Sequence, residues 1–304
     1  MRGYARRRTI MPTVETVELP ITGALDLRST LRPLHGWFAD DGWWLTARTP
    51  EGPGTIRIRR TRDHLIGEAW GEGGEWLLAS AGPIGGLNDD PTLFSTNHPL
   101  VADLHHRHPG MRFGRTGLVF DALVAAIVGQ KVTGSEATWA MRGLRREFGD
   151  PAPGPRPGLS LPPDPEKMAA APYWALHELH LEKRRADALR RVSRDVTSIE
   201  GTASQSPALA AAVLEGHIGV GPWTVAKTLM VSHGDPDQVE VGDFHVKHIV
   251  VSHMTGRPRG SDEEMLELLE PFRPQRGRVV RLLHTLGHEP KFGPRMAPRD
   301  ITTI

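Results

Sequence analysis

The 304-residue chain contains no cysteine. That absence excludes disulfides, thiolate metal sites, iron–sulfur clusters and a cysteine nucleophile, and it leaves the compartment unfixed by redox chemistry. Long apolar runs are missing too: no stretch approaches the roughly eighteen residues of a membrane span. The start is basic, with Arg6, Arg7 and Arg8, but no apolar segment of a secretory signal follows. Net charge is nearly absent, since 37 Lys and Arg against 36 Asp and Glu leave a formal +1. Any affinity for nucleic acid must therefore come from the local arrangement of charge. With 38% hydrophobic and 24% charged residues the composition is globular. The expectation is a soluble, cytoplasmic, nucleoid-associated monomer of two or three compact units.

Five of the eight tryptophans, Trp37, Trp43, Trp44, Trp70 and Trp76, fall among Gly-rich turns and β-favouring runs. Residues 1–91 read as an antiparallel β-rich domain, in which Thr55, Arg57 and Arg59 line a wet face and Ile56 and Ile58 a packed one. From Thr92 onward the period is helical, as in the stripe Phe120, Leu123, Val124, Ile127 and Val128. The fold class is α+β: a β-rich N-terminal domain followed by an all-α core over 92–304. Seven prolines between 150 and 165 make that stretch a stiff loop within the core.

Residues 207–230 carry the strongest local signal. An amphipathic segment ending at Gly216 is followed by Gly219-Val220-Gly221 and a second helix opened by Pro222, which reads as helix, tight hairpin, helix. Glycines at this spacing let a ligand approach the backbone, and the N–H groups that start the second helix form an anion site. An ordinary turn between two helices explains Gly219 and Gly221 equally well. Further on, Asp243 precedes the apolar pattern Phe244, Val246, Ile249 and Val250 and takes a helix N-cap position, a sufficient role in itself.

Taken together, Ile218 to Thr224 and then Val241-Gly242-Asp243 resemble the helix-hairpin-helix DNA glycosylase superfamily, and within it the 3-methyladenine DNA glycosylase II branch. The segments 108–113, 120–132, 181–189 and 274–284 resemble further parts of that family in the same order. The resemblance implies a monofunctional glycosylase of base-excision repair. Asp243 would be catalytic, and Trp223, Phe244, Lys227, His284 and Gln130 would line the pocket. Gly219, Val220, Gly221, Thr224, Lys131, His245 and Lys247 would meet the DNA, with Lys131 at the position of the residue that fills the gap left by the extruded base. Bifunctional members carry lysine where this chain has Trp223, so no Schiff base is expected there. The partner would be double-stranded DNA containing a damaged base.

An alkylated purine carries positive charge and would gain from stacking on Trp223. Lys227 and His284 stand where the alkylpurine branch has aromatic residues, which opens a neutral or bulky base as an alternative. Trp223 also has a core-packing reading. No organic cofactor is implied; a Na+ or K+ ion held by carbonyls of Gly216, Gly219 and Gly221 would complete a positive site for phosphate. His105, His106 and His108, or His245 and His248, give no convincing metal set. The pairs Arg57–Arg59 and Arg184–Arg185 read as solvated faces or phosphate contacts, and Arg257 and Arg259 as phosphate contacts. A competing reading keeps the hairpin but not the chemistry: a protein that binds damaged or branched DNA without excising a base.

Overall fold

A computed structural model describes residues 15–287 and 297–302, so the cluster Arg6, Arg7 and Arg8 lies outside the described residues. Strands β1 (Glu15–Pro20), β2 (Trp37–Ala39), β3 (Gly42–Thr49), β4 (Gly52–Arg60) and β5 (His64–Trp70) form one antiparallel sheet in the order β1-β5-β4-β3-β2. Short turns pair β2 to β5 with their sequence neighbours, and β1 closes the far edge against β5. Leu45, Ile56, Ile58 and Leu65 share a core with Leu77, Ala81 and Ile84 from the helices Gly74–Ala79 and Ala81–Ile84. Leu118, Ala122 and Val231 from the helical part complete that core, so sheet and helices are joined through shared side chains.

The opposite face of the sheet is not the wet surface that alternation suggests. Thr55 is fully buried and Arg57 half-buried. Trp44 stacks on Trp70 at 5.3 Å, and the guanidinium groups of Arg57 and Arg156 lie over the Trp44 ring. The proline-rich connection covers this face: the Ser160 carbonyl accepts from Thr46 Oγ1 at 2.9 Å, although the two are 114 residues apart. Pro162 O accepts from Arg48 in the same way. Alternation records which residues are apolar and is blind to a distant loop that brings its own acceptors. The connection holds no helix until Asp164 caps Pro165–Ala170.

The helical part has two cores. Phe120, Leu123, Val124 and Ile127 of Val119–Val128 pack with Gly134–Phe148, Lys183–Arg194, Pro207–Glu215 and Pro222–Ser232. Val246–Thr255, Asp262–Leu269 and Arg276–His284 pack with Pro99–Arg107 around Ile249, Met265 and Val279. Arg185 belongs to neither a solvated face nor a phosphate site: it is buried and donates to Val128 O at 2.7 Å and His180 O at 3.0 Å, closing the end of Val119–Val128.

The closing helix is locked to the sheet domain by Arg278, which is 1% exposed and reaches both oxygens of Asp89 at 2.6 and 2.8 Å. Phe113 lies between Arg278 and Arg281, with the guanidinium carbons 4.9 and 4.4 Å from its ring centre. Asp89→Ala leaves a buried guanidinium without its anion, so urea unfolding should show a loss of about 3–5 kcal/mol. A loss below about 1 kcal/mol would show that Arg278 does not rely on the pair.

Candidate active site and nucleic-acid interface

The hairpin forms as its sequence indicates. Ser206 caps Pro207–Glu215 by accepting from Leu209 N–H, the chain turns after Gly216, and Pro222 opens Pro222–Ser232. Gly219 sits at φ +100°, and a Cβ there would come within 2.8 Å of Ala188 Cβ. Its glycine is demanded by the chain itself. Gly221 is extended, and a Cβ on it would meet nothing within 4 Å. Whatever favours glycine at 221 comes from outside the described fold.

Gly221 contributes no side-chain cap, so the N–H groups of Trp223 and Thr224 open the helix without an intrahelical partner. No described residue accepts from the backbone N–H of Gly219 or Gly221 either. Unpartnered donors at a helix start are an arrangement that suits an anion. Val220 is turned inward, 7% exposed, while its neighbour Ile218 projects at 75%. Gln130 does not hang free in a pocket: its Nε2 donates to Gly219 O and to Thr224 Oγ1, both at 2.8 Å. It thereby fixes the turn after Val119–Val128 to the hairpin. Lys131, next in that turn, is exposed and holds a left-handed φ of +53°, a conformation that costs a lysine roughly 1–2 kcal/mol.

Gly242 at φ +88° swings the chain into Asp243, 20 residues beyond Trp223. Asp243 Oδ1 accepts from the N–H groups of His245 at 2.7 Å and Val246 at 3.2 Å, but the residue that caps Val246–Thr255 is His245, so the carboxylate serves the helix start from two residues before the position read from sequence. Its Oδ2 accepts from the indole N–H of Trp223 at 3.0 Å. Burial alone pushes the Asp243 carboxyl up; the bonds from His245, Trp223 and Val246 and the charge of Lys227 outweigh it and hold the group below its ordinary value. Asp243 is therefore ionised at neutral pH. Its depressed value contributes stability that is present above the unfolded carboxylate range and is lost as pH falls through the folded value.

Asp262 buttresses this loop. Its Oδ1 accepts from Gly242 N–H at 2.8 Å and its Oδ2 from Lys247 Nζ at 2.9 Å. Lys247 is thus spent on an internal ion pair. Sequence reasoning missed Asp262; the capping box of Ser261 and Glu264 marks a helix start there but not the reach back to Gly242.

Lys227 lies one turn after Trp223, with Nζ 3.4 Å from Glu240 Oε1. Glu240 is 8% exposed, and its Oε2 is buried without a hydrogen-bond partner among the described residues. Phe244 is 62% exposed and stands edge-on to His245 and His248. His284 is exposed at the end of Arg276–His284, and no bond joins it to Lys227 or Asp243 among the described residues. The structure thus gathers Trp223, Lys227, Gln130, Thr224 and Asp243, while Phe244, His245 and His284 stay at the surface. Arg257 pairs with Glu264 at 2.8 Å. Among the described residues no cluster of His, Asp and Glu suits a metal ion.

The two hairpin glycines separate by experiment. Gly221→Ala should leave the melting temperature within the error expected for about 0.5 kcal/mol. It should also weaken duplex DNA of any sequence about tenfold, the equivalent of one phosphate bond lost. Gly219→Ala should cost about 1–3 kcal/mol of stability through its backbone and Ala188. Equal stability of both variants would contradict the distinction.

Residues 124–274 match the family described as HhH-GPD superfamily base excision DNA repair protein. YfjP of Bacillus subtilis (strain 168), assigned by name to the DNA-3-methyladenine glycosylases, is 25% identical over 180 residues, 57% of this chain. The match spans 61% of that relative's length. Among solved structures, a 3-methyladenine DNA glycosylase from Archaeoglobus fulgidus superposes with a TM-score of 0.69 at 18% identity, over 88% of this chain and 97% of that one. The Clostridium acetobutylicum 8-oxoguanine glycosylase/lyase, bound to double-stranded DNA containing cytosine opposite 8-oxoguanine, gives 0.72 at 14%, over 91% and 98%. These likenesses establish the fold, and the family match coincides with the segment that builds the hairpin and the aspartate loop. Over residues 124–274 the chain belongs to the HhH-GPD superfamily of base excision DNA repair proteins.

Proposed function

We propose that the chain is a DNA glycosylase that hydrolyses the N-glycosidic bond of a damaged base in duplex DNA. The observation that carries this reading is the Asp243 carboxylate, kept ionised beside the hairpin by Trp223 and the start of Val246–Thr255. The hairpin N–H groups would hold a phosphate, and the target base would rotate out of the stack at a cost of a few kcal/mol. As the bond breaks, the sugar takes on oxocarbenium character, which a fixed anion stabilises without reorganising. The same carboxylate would orient the attacking water. Lys227, the amine beside Trp223 and Asp243, is turned to Glu240, so the reading is hydrolysis without strand cleavage.

Charge supports an alkylated purine as the substrate. Asp243 and Glu240 against Lys227 leave the site one negative charge in excess, and a cationic base stacked on indole gains about 1–2 kcal/mol. The ion pair of Lys227 answers the repulsion its charge alone would create. A monovalent cation at the hairpin would draw on the carbonyls of Gly216, Gly219 and Gly221; Gly219 O accepts from Gln130 and Gly221 O from Val225 N–H at 3.0 Å, and each keeps one lone pair. It would add positive charge beside the phosphate.

One observation favours binding without excision: both oxygens of Asp243 already accept hydrogen bonds, as a purely structural cap would. Methylated duplex DNA incubated with the protein, with released bases separated by chromatography, decides between the two. Asp243→Asn should abolish release while changing DNA affinity less than about tenfold. Tight binding by the unaltered protein with no release from any alkylated, deaminated or oxidised duplex would leave the binding reading standing.

Trp223→Phe removes a hydrogen bond made to the ionised carboxyl, so the Asp243 value should rise. The acidic limb of the rate profile should move to higher pH accordingly. An unmoved limb with an unchanged rate would detach Trp223 from the chemistry.

A further inference from the structure

A cavity of about 980 Å³ lies between the sheet and the helices Val119–Val128 and Gly134–Phe148, beneath the proline-rich connection. Neither Asp243 nor Trp223 nor Lys227 lines it. Its walls are largely apolar, with Trp37, Leu45, Leu118, Val124, Val128 and Met141. One carboxyl interrupts them. Asp121, on Val119–Val128, faces this space and makes no hydrogen bond to any described residue. Burial, and then the charge of Glu200, pushes it up to about 7, while Arg145 and Arg48 oppose the rise. Leaving a carboxyl in such a wall is costly, and the charges of Arg145 and Arg48 offset only part of that cost.

The mouth has the opposite character. Arg142 and Arg146 are one turn apart on Gly134–Phe148, exposed, and without a carboxylate partner among the described residues. Between mouth and floor, Arg145 spends Nη1 on Thr46 Oγ1 and Ser160 O, and its Nε and Nη2 make no hydrogen bond to another described residue. A ligand that satisfies the whole cavity needs an anionic end for the outer guanidinium groups, an apolar planar body, and paired N–H donors at the far end for a carboxylate. Guanidinium groups bind phosphate oxygens strongly. Two adjacent ring and amino N–H groups match the two oxygens of Asp121. The space exceeds what a mononucleotide needs.

We propose that this cavity is a second ligand site, separate from the catalytic aspartate, that binds a free nucleoside monophosphate of the guanine type, with its N–H edge on Asp121 and its phosphate at Arg142 and Arg146. The proposal does not depend on the glycosylase reading, because none of these residues serves it.

Titration calorimetry with guanosine 5′-monophosphate tests it, with adenosine 5′-monophosphate, guanosine and inorganic phosphate as comparisons. The guanine nucleotide should saturate one site and bind at least about tenfold tighter than the others, the equivalent of one good charged hydrogen bond. Asp121→Asn keeps the shape of the side chain and should erase the preference for guanine over adenine. Arg142→Ala combined with Arg146→Ala should reduce the nucleotide to the affinity of guanosine. Unaltered melting temperatures in these variants confirm that the fold persists. No saturable binding, an undiminished preference in Asp121→Asn, or displacement of the nucleotide by undamaged duplex DNA would each overturn the proposal, the last by making the cavity part of the DNA cleft.

Discussion

The hydrogen bond from the Trp223 indole to the Asp243 carboxylate crosses the seam between the two helical cores. Trp223 opens a helix of one core and Asp243 leads into a helix of the other, so the bond sets the distance between hairpin and carboxylate. A carboxylate taken this far from water costs several kcal/mol unless donors replace its hydration. Here three N–H groups do so. Each side of the bond is then held by a residue behind it: Gln130 fixes the hairpin through Gly219 O and Thr224, and Asp262 fixes the Gly242 turn.

This arrangement separates positioning from contact. The groups that could touch a phosphate are backbone N–H groups with no internal partner, whereas the polar side chains nearby are largely engaged inward. Lys247 is bound to Asp262, Thr224 to Gln130, and Lys227 to Glu240. A near-neutral chain is consistent with this economy, since a helix start attracts an anion without a net positive surface. The sheet domain contributes to the same rigidity from behind, through Leu118, Ala122 and Val231 in its core and through the Asp89–Arg278 pair.

Much of this was legible in the chain because it is written in neighbouring residues. Gly216, Gly219, Gly221 and Pro222 announce a hairpin through backbone freedom and fixed φ, and Asp243 announces a helix start. Trp37, Trp43, Trp44 and Trp70 announce a sheet, whereas Trp76, read with them, falls in the helix Gly74–Ala79. What stayed hidden depends on partners far away in sequence. Nothing near Asp262 says that it will hold Gly242, and nothing near Arg185 says that it will close the end of another helix. Thr55 alternates like a surface residue and is buried by a loop that only the fold brings there. The roles of Trp223 divided between pocket and core; the structure adds a third, donor to the carboxylate, which no local pattern encodes.

A double-mutant cycle on Trp223 and Asp243 measures the bond on which this arrangement rests. Unfolding free energies of Trp223→Phe, Asp243→Asn and the double variant should give a coupling of about 1.5–3 kcal/mol, the worth of a hydrogen bond to a charged group. Additive losses, with coupling below about 0.5 kcal/mol, would mean that indole and carboxylate do not hold each other and that the seam is set by something else.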